Sequence, residues 1–230
     1  MQKTLLVISG PSAVGKRPLI DALSAKMPGI EEVPVLTQRD PVFGTTLPRG
    51  MRQVPTGELM IASVDRVIER VRNKVNVVDT GQIVAAFTRS DLVVVVPFYR
   101  LGLALTSHPR VRALAAEGVR VITVFISPFS EDELACCDDP AEVLTLVMQG
   151  RDVERALAEA APSRTRRVGH FATLAAWHRT TMLMEELGAR RHFGHVLTMR
   201  NGHLPSTWKS DPPEGDAGQV LSSLLALLAL

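Results

Sequence analysis

The chain carries little with which to build a disulfide framework, a metal cluster or a membrane span. Of its 230 residues only two are cysteines, Cys136 and Cys137, adjacent in sequence. Neighbouring cysteines make a poor structural crosslink and lack metal-ligand spacing, so the expected setting is a reduced, cytoplasmic one. The six histidines show no metal spacing either; His192, His195 and His203 straddle a strand and read as rim or core residues. No Ser-His-Asp grouping can be argued from spacing. The apolar run Val220 to Leu230 is only 11 residues long, too short to cross a bilayer, and reads as a packed helix with Ser222 and Ser223 on one side. The first residues lack a charged leader, apolar core and cleavage site, and their apolar stretch reads as a first strand. A formal charge of +2 is too small to argue for nucleic acid as a partner. Lysine is scarce, 5 against 21 arginines. Arginine suits bidentate phosphate contacts, although coding bias produces the same skew.

What is present begins with an apolar run, Thr4-Leu5-Leu6-Val7-Ile8, followed by Ser9-Gly10-Pro11-Ser12-Ala13-Val14-Gly15-Lys16 and then by Leu19-Ile20-Asp21-Ala22-Leu23 with helical spacing. A strand, a Gly-bounded loop and a helix form the context a phosphate-binding loop needs. Gly10 and Gly15 can adopt backbone angles other residues resist, which lets successive N–H groups turn toward an anion. The helix behind the loop contributes the positive end of its dipole, and Lys16 a mobile charge for the outer phosphates. The usual motif ends Lys-Ser or Lys-Thr, whose hydroxyl binds magnesium; here Lys16 is followed by Arg17 and Pro18. Arg17 can reach a phosphate and stand in for part of the metal's charge, or point to solvent from the first helical turn. Pro18 is harmless there, because first-turn N–H groups have no intrahelical partner.

Along the rest of the chain, strands alternate with helices. Ile30 to Gln38 reads as a second strand around Pro34, at an edge or starting late. Residues 39–57 read as loop and 58–62 as a short strand. Ser63 caps an expected helix through Asn73, with Val64, Val67, Ile68 and Val71 on one face. Val75 to Asp79 is a short apolar segment ending in a carboxylate. Leu92 to Val96 reads as a central parallel strand buried on both faces. A helix over 101–117 breaks at His108-Pro109 and ends at Gly118, and 119–126 is the next strand. Helical pieces follow through 130–187, with Trp177 as core packing, then a last strand at 195–199, a polar connection over 202–215 and the terminal helix. The pattern implies an α/β fold with a parallel sheet. Ligands then sit beyond the C-terminal strand ends, which nominates Gly10 to Lys16, Thr37 to Arg39, Asp79, Phe98 to Arg100 and Ser127.

These features resemble the guanylate kinases. Leu5 to Lys16 is similar to the opening of that family, Thr37-Gln38-Arg39-Asp40-Pro41 to its Thr-Thr-Arg-x-Pro segment, Ser127 to Leu134 to its Pro-Pro-Ser-x-Glu-Glu-Leu stretch, and Phe193 to Asn201 to its closing strand. The resemblance implies a P-loop NTPase-type parallel sheet with helices on both faces, a three-layer α/β/α single domain over 1–230. Its core would be about 1–38 and 91–230, with a reduced acceptor-binding insertion at about 39–90 and an arginine-rich lid at about 150–168. It further implies ATP and Mg2+ as cofactors. The nucleotide would lie on Gly10, Pro11, Ser12, Ala13, Val14, Gly15, Lys16, Arg17 and Asn201, with the acceptor at Thr37, Arg39, Asp79, Tyr99 and Arg100. Lys16, Arg39, Arg164 and Arg167 would serve transfer. Departures fall on the acceptor side: the family's second arginine lands on Val42, its strand-end Asp on Pro97-Phe98, and its acceptor-lid tyrosines are missing, since the single Tyr99 lies elsewhere.

Two chemistries share these residues. Phosphoryl transfer needs alignment and charge neutralisation more than covalent chemistry. With no hydroxyl at position 17, Asp79 is the first magnesium candidate, ahead of Ser12 and Ser9; its alternative role is a turn-forming Asp before Thr80-Gly81. Arg164, Arg166 and Arg167, with Arg151 and Arg155, form a lid or simply a solvated basic face. The expected function is an ATP-dependent phosphotransferase acting on a nucleoside monophosphate or another small phosphorylated acceptor such as a sugar phosphate. The alternative is a nucleotide-binding protein that has lost transfer and serves a regulatory or interaction role. Neither needs a nucleic acid or a membrane, and homo-oligomerisation is left open.

Overall fold

The computed structural model describes residues 2–11, 14–38, 50–59, 64–71, 74–128, 186, 188–200, 202 and 204–230. Two compact units divide the chain, Met1–Ser9 with Ser24–Val124, and Gly10–Leu23 with Phe125–Leu230.

In the first unit the six residues of β1 (Thr4–Ser9) are all buried, as befits a strand with apolar neighbours on both faces. After α1 (Lys16–Lys26) and β2 (Glu31–Val33) come β3 (Val35–Thr37), β4 (Met51–Gln53), the single turn α2 (Thr56–Leu59), β5 (Arg66–Val71) and β6 (Lys74–Asp79). Then follow α3 (Thr80–Ala86), β7 (Leu92–Val95), α4 (Tyr99–Thr106), α5 (Pro109–Ala116) and β8 (Arg120–Ser127). Strand β7 lies parallel between β1 and β2, with Leu5 opposite Val93 and Val33 opposite Val95. The expected central strand is therefore present and buried throughout. With β9 (His195–Thr198) the sheet order is β2-β7-β1-β8-β9. The α/β architecture expected from the alternation is the one that forms. Leu5, Val7, Val93 and Val95 pack with Ile83 of α3 and Leu101 of α4 in the core of this unit.

A second sheet, ordered β4-β3-β6-β5, occupies the middle of the same unit. Here the structure corrects four expectations. The strand expected over 30–38 is two strands in two different sheets: Pro34 has no N–H for a ladder, and the pairing changes hands across it. Residues 51–53, expected as loop, form β4, parallel to β3. The strand expected from Glu58 is instead the helical turn α2, whose Glu58 and Leu59 N–H groups bond Pro55 O. The helix expected over 63–73 is strand β5, antiparallel to β6. Its burial has period two: Val67 and Glu69 are buried, while Ile68 between them is 41% exposed. The β-branched residues that suggested a helical stripe prefer a pleated surface when a partner strand exists.

Other boundaries follow the local chemistry. His108 Nδ1 accepts the Arg110 N–H and Pro109 occupies the first turn of α5, so the expected break falls where the residues put it. Helix α4 starts at Tyr99, two residues before the expected Leu101. Asp79 ends β6 and caps α3, its Oδ1 accepting the Gly81 N–H at 2.9 Å and the Gln82 N–H at 3.4 Å. Replacing an N-cap carboxylate removes a partner from two helix-end donors. Asp79→Ala is expected to lower the unfolding free energy by about 1 kcal/mol, read from the denaturant midpoint at unchanged slope.

Candidate functional site: a phosphate-binding loop

The loop belongs to the second unit, where it is seated on backbone. Gly10 has φ 151° and a Cβ there would stand 2.6 Å from Ile126 O near the end of β8. Gly15 has φ 103° and a Cβ there would collide with the carbonyl of Gly202. Both glycines are thus required twice, by their dihedral angles and by close approach of a second backbone. Val14, between them, is 2% exposed. Helix α1 begins at Lys16, and Leu19 N–H bonds Gly15 O at 3.1 Å. The N-terminal end of the helix therefore stands immediately behind the loop. Lys16 is partly buried and curls back over the loop, its Nζ donating to Gly10 O and Pro11 O at 2.7 Å each. Arg17 is half-buried on the first turn.

Behind this loop the unit is tied together through Ser127, the last residue of β8 and fully buried. Its carbonyl accepts the Met199 N–H at 2.8 Å, just past β9. Its hydroxyl bonds the carboxylate of Glu186, which is 1% exposed. Arg190, four residues on, places Nη2 3.5 Å from Glu186 Oε1, an ion pair at the long end of hydrogen-bonding reach. Phe193 packs on Phe125 of β8 at 5.7 Å between ring centroids. The turn after β9 is held as well, for Trp208 Nε1–H donates to Gly202 O at 2.9 Å. Burial raises the proton affinity of Glu186 from an ordinary 4.5 to about 7; the Ser127 hydroxyl and Arg190 oppose the shift without cancelling it. Sequence spacing gave no sign of this group, because a glutamate enters a core only through tertiary packing.

In the first unit, Thr37 is fully buried and its hydroxyl donates to Asn76 Oδ1 at 3.0 Å across β3 and β6. That side chain is engaged inside the sheet. Asp79 is half-buried with Oδ1 in the α3 cap, the turn-forming role open to it from the sequence. Tyr99 is buried at the start of α4 and Arg100 beside it is exposed. Ser12, Ala13, Arg39, Val42, Arg151, Arg155, Arg164, Arg166, Arg167 and Asn201 lie outside the described residues, as do the cysteines and Trp177.

Magnesium, implied by the resemblance, finds a poor fit here. Arg17 takes the hydroxyl position, Asp79 has one oxygen tied in a cap, and no three His, Cys, Asp or Glu side chains gather among the described residues.

A guanylate kinase from Anaplasma phagocytophilum matches 99% of this chain and 85% of its own length with a TM-score of 0.52, at 14% sequence identity. The fold is guanylate-kinase-like. No family model and no curated protein matches the sequence. The guanylate-kinase-like architecture was therefore legible from the loop and the strand order, while identity this low carries the fold and nothing of the substrate.

Glu186 makes the unit's stability depend on pH. Its folded form holds the proton to about 7 and its unfolded form only to about 4.5. The stabilisation is complete below the unfolded value and is lost as pH rises through the folded one. Between about pH 4 and pH 8, wild type is expected to lose on the order of 3 kcal/mol of unfolding free energy relative to Glu186→Gln. Denaturant melts across that range measure it, and parallel pH profiles for the two proteins would contradict it.

Proposed function

We propose that the protein binds the phosphates of ATP at Gly10 to Arg17 and transfers the terminal phosphoryl group to a nucleoside monophosphate or another small phosphorylated acceptor. The observation that carries this reading is the loop itself. Two glycines are pinned on opposing backbone, a helix begins immediately behind them, and Lys16 arches over the carbonyls of the loop's first residues. An anion in that position gains oriented N–H donors, the positive end of a helix dipole and one mobile cation. On transfer, Lys16 would follow charge as it accumulates on the migrating group. Arg39 would hold the acceptor phosphate, Arg164 and Arg167 would close over the reaction, and Asn201 would border the nucleotide, as the resemblance implies. Thr37, Tyr99 and Arg100 would line the acceptor side. The setting proposed is cytoplasmic; among the described residues no helix is long and apolar enough to cross a membrane.

A second reading, a nucleotide-binding protein without transfer activity, draws support from three features. Arg17 replaces the expected hydroxyl, the Thr37 hydroxyl is engaged with Asn76, and Asp79 Oδ1 is engaged in a helix cap. Calorimetry with ATP and with ADP, followed by a search for ADP release across nucleoside monophosphates and sugar phosphates, separates the two. Lys16→Ala is expected to weaken nucleotide binding by at least about tenfold, the equivalent of roughly 1.4 kcal/mol, and to abolish any turnover. Substantial turnover surviving in that variant would sink the transfer mechanism. Tight ATP binding with no product from any acceptor favours the binding protein.

A further inference from the structure

Ser127 stands between the two places where the phosphate loop is seated. One residue before it, Ile126 presents the carbonyl on which Gly10 rests. Through its own carbonyl it holds Met199, three residues before the Gly202 backbone that Gly15 abuts. Its hydroxyl is held in turn by Glu186. A chain of close contacts therefore runs from a buried carboxylate to both glycines of the loop, all within one compact unit.

We propose that Glu186 is a positioning residue for the phosphate loop and that a polyphosphate bound there is coupled to a proton on this carboxylate. The inference rests on the reading of Gly10 to Lys16 as a phosphate site. The group is suited to the role. Among the described residues it faces Ser127 from β8, which does not titrate in this range, and Arg190 from its own helical stretch. A buried carboxylate so placed changes charge near neutrality. A polyanion arriving in the same unit opposes its ionised form and raises its proton affinity. By linkage, the protonated form then binds the polyanion more tightly.

The test uses inorganic pyrophosphate as the probe, the full chain, and titration calorimetry from about pH 6 to pH 8 in two buffers of different ionisation enthalpy. Protons that belong to the probe are common to every variant, so the difference between proteins isolates Glu186. Wild type is expected to take up more proton on binding than Glu186→Gln near pH 7. Its affinity should fall by about threefold more across the range, the effect of a half-unit rise in the carboxyl's proton affinity. Ser127→Ala removes a donor to the ionised carboxylate and should move the wild-type profile to higher pH. Thermal melts verify that both variants are folded. If Glu186→Gln does not fold, the Ser127→Ala profile decides, and its coincidence with wild type overturns the proposal. Identical proton uptake in wild type and Glu186→Gln overturns it while leaving the phosphate site standing. Absence of pyrophosphate binding by wild type, or binding undiminished in Lys16→Ala, overturns the phosphate site and this proposal together.

Discussion

The loop at Gly10 to Lys16 depends on the packing of backbone against backbone. Side chains hold most loops in place; this one is held because nothing lies between its two glycines and the carbonyls of Ile126 and Gly202. Such a seat is unforgiving, since an added carbon has nowhere to go in a close-packed interior. Such a seat suits the proposed anion site, which would be built of amides. Oriented N–H groups help a phosphate only if they are already in place when it arrives. Lys16 rests on two carbonyls; in the proposed binding a phosphate oxygen would replace them as its partner.

The second sheet shows a different way to organise polar groups. In its register Thr37 and Glu69 both lie opposite Asn76, so the three form a polar row across β3, β6 and β5. All three are buried. On the same faces of these strands, two residues along, Val35, Val67 and Val78 join the apolar core. One face of a sheet thus passes from apolar to polar within a single step of each strand. Amide and carboxyl groups are buried only at a penalty, so such a row fixes which register the strands adopt.

Much of the first unit's parallel sheet could be read from the chain, because Leu5 to Ile8 and Leu92 to Val95 are runs that only a doubly covered strand explains. The loop could be read because its glycines and lysine have a spacing with a mechanism. Residues 66–71 depart from the helical expectation for an equally physical reason. Val64, Val67, Ile68 and Val71 satisfy helical spacing and β preference together, and only pairing with β6 chooses between them. Glu186 and Gly202 were illegible because their importance lies in what the fold brings beside them. Asp79 was half-legible: an Asp before Thr-Gly announces a cap, and the cap is what the side chain makes.

Pro34 separates the edge strand of one sheet from a strand of the other, and it is the only residue between them. At the same end of the second sheet, opposite Pro34 in the antiparallel register, β6 passes into α3 with no residue between Asp79 and Thr80. A tether of one residue with a locked φ has almost no slack. The second sheet is therefore tied at this one end, to the first sheet through Pro34 and to α3 through Asp79. Any swing it makes must be taken up at Pro34's ψ and its immediate neighbours, or by unzipping the pairing that flanks them.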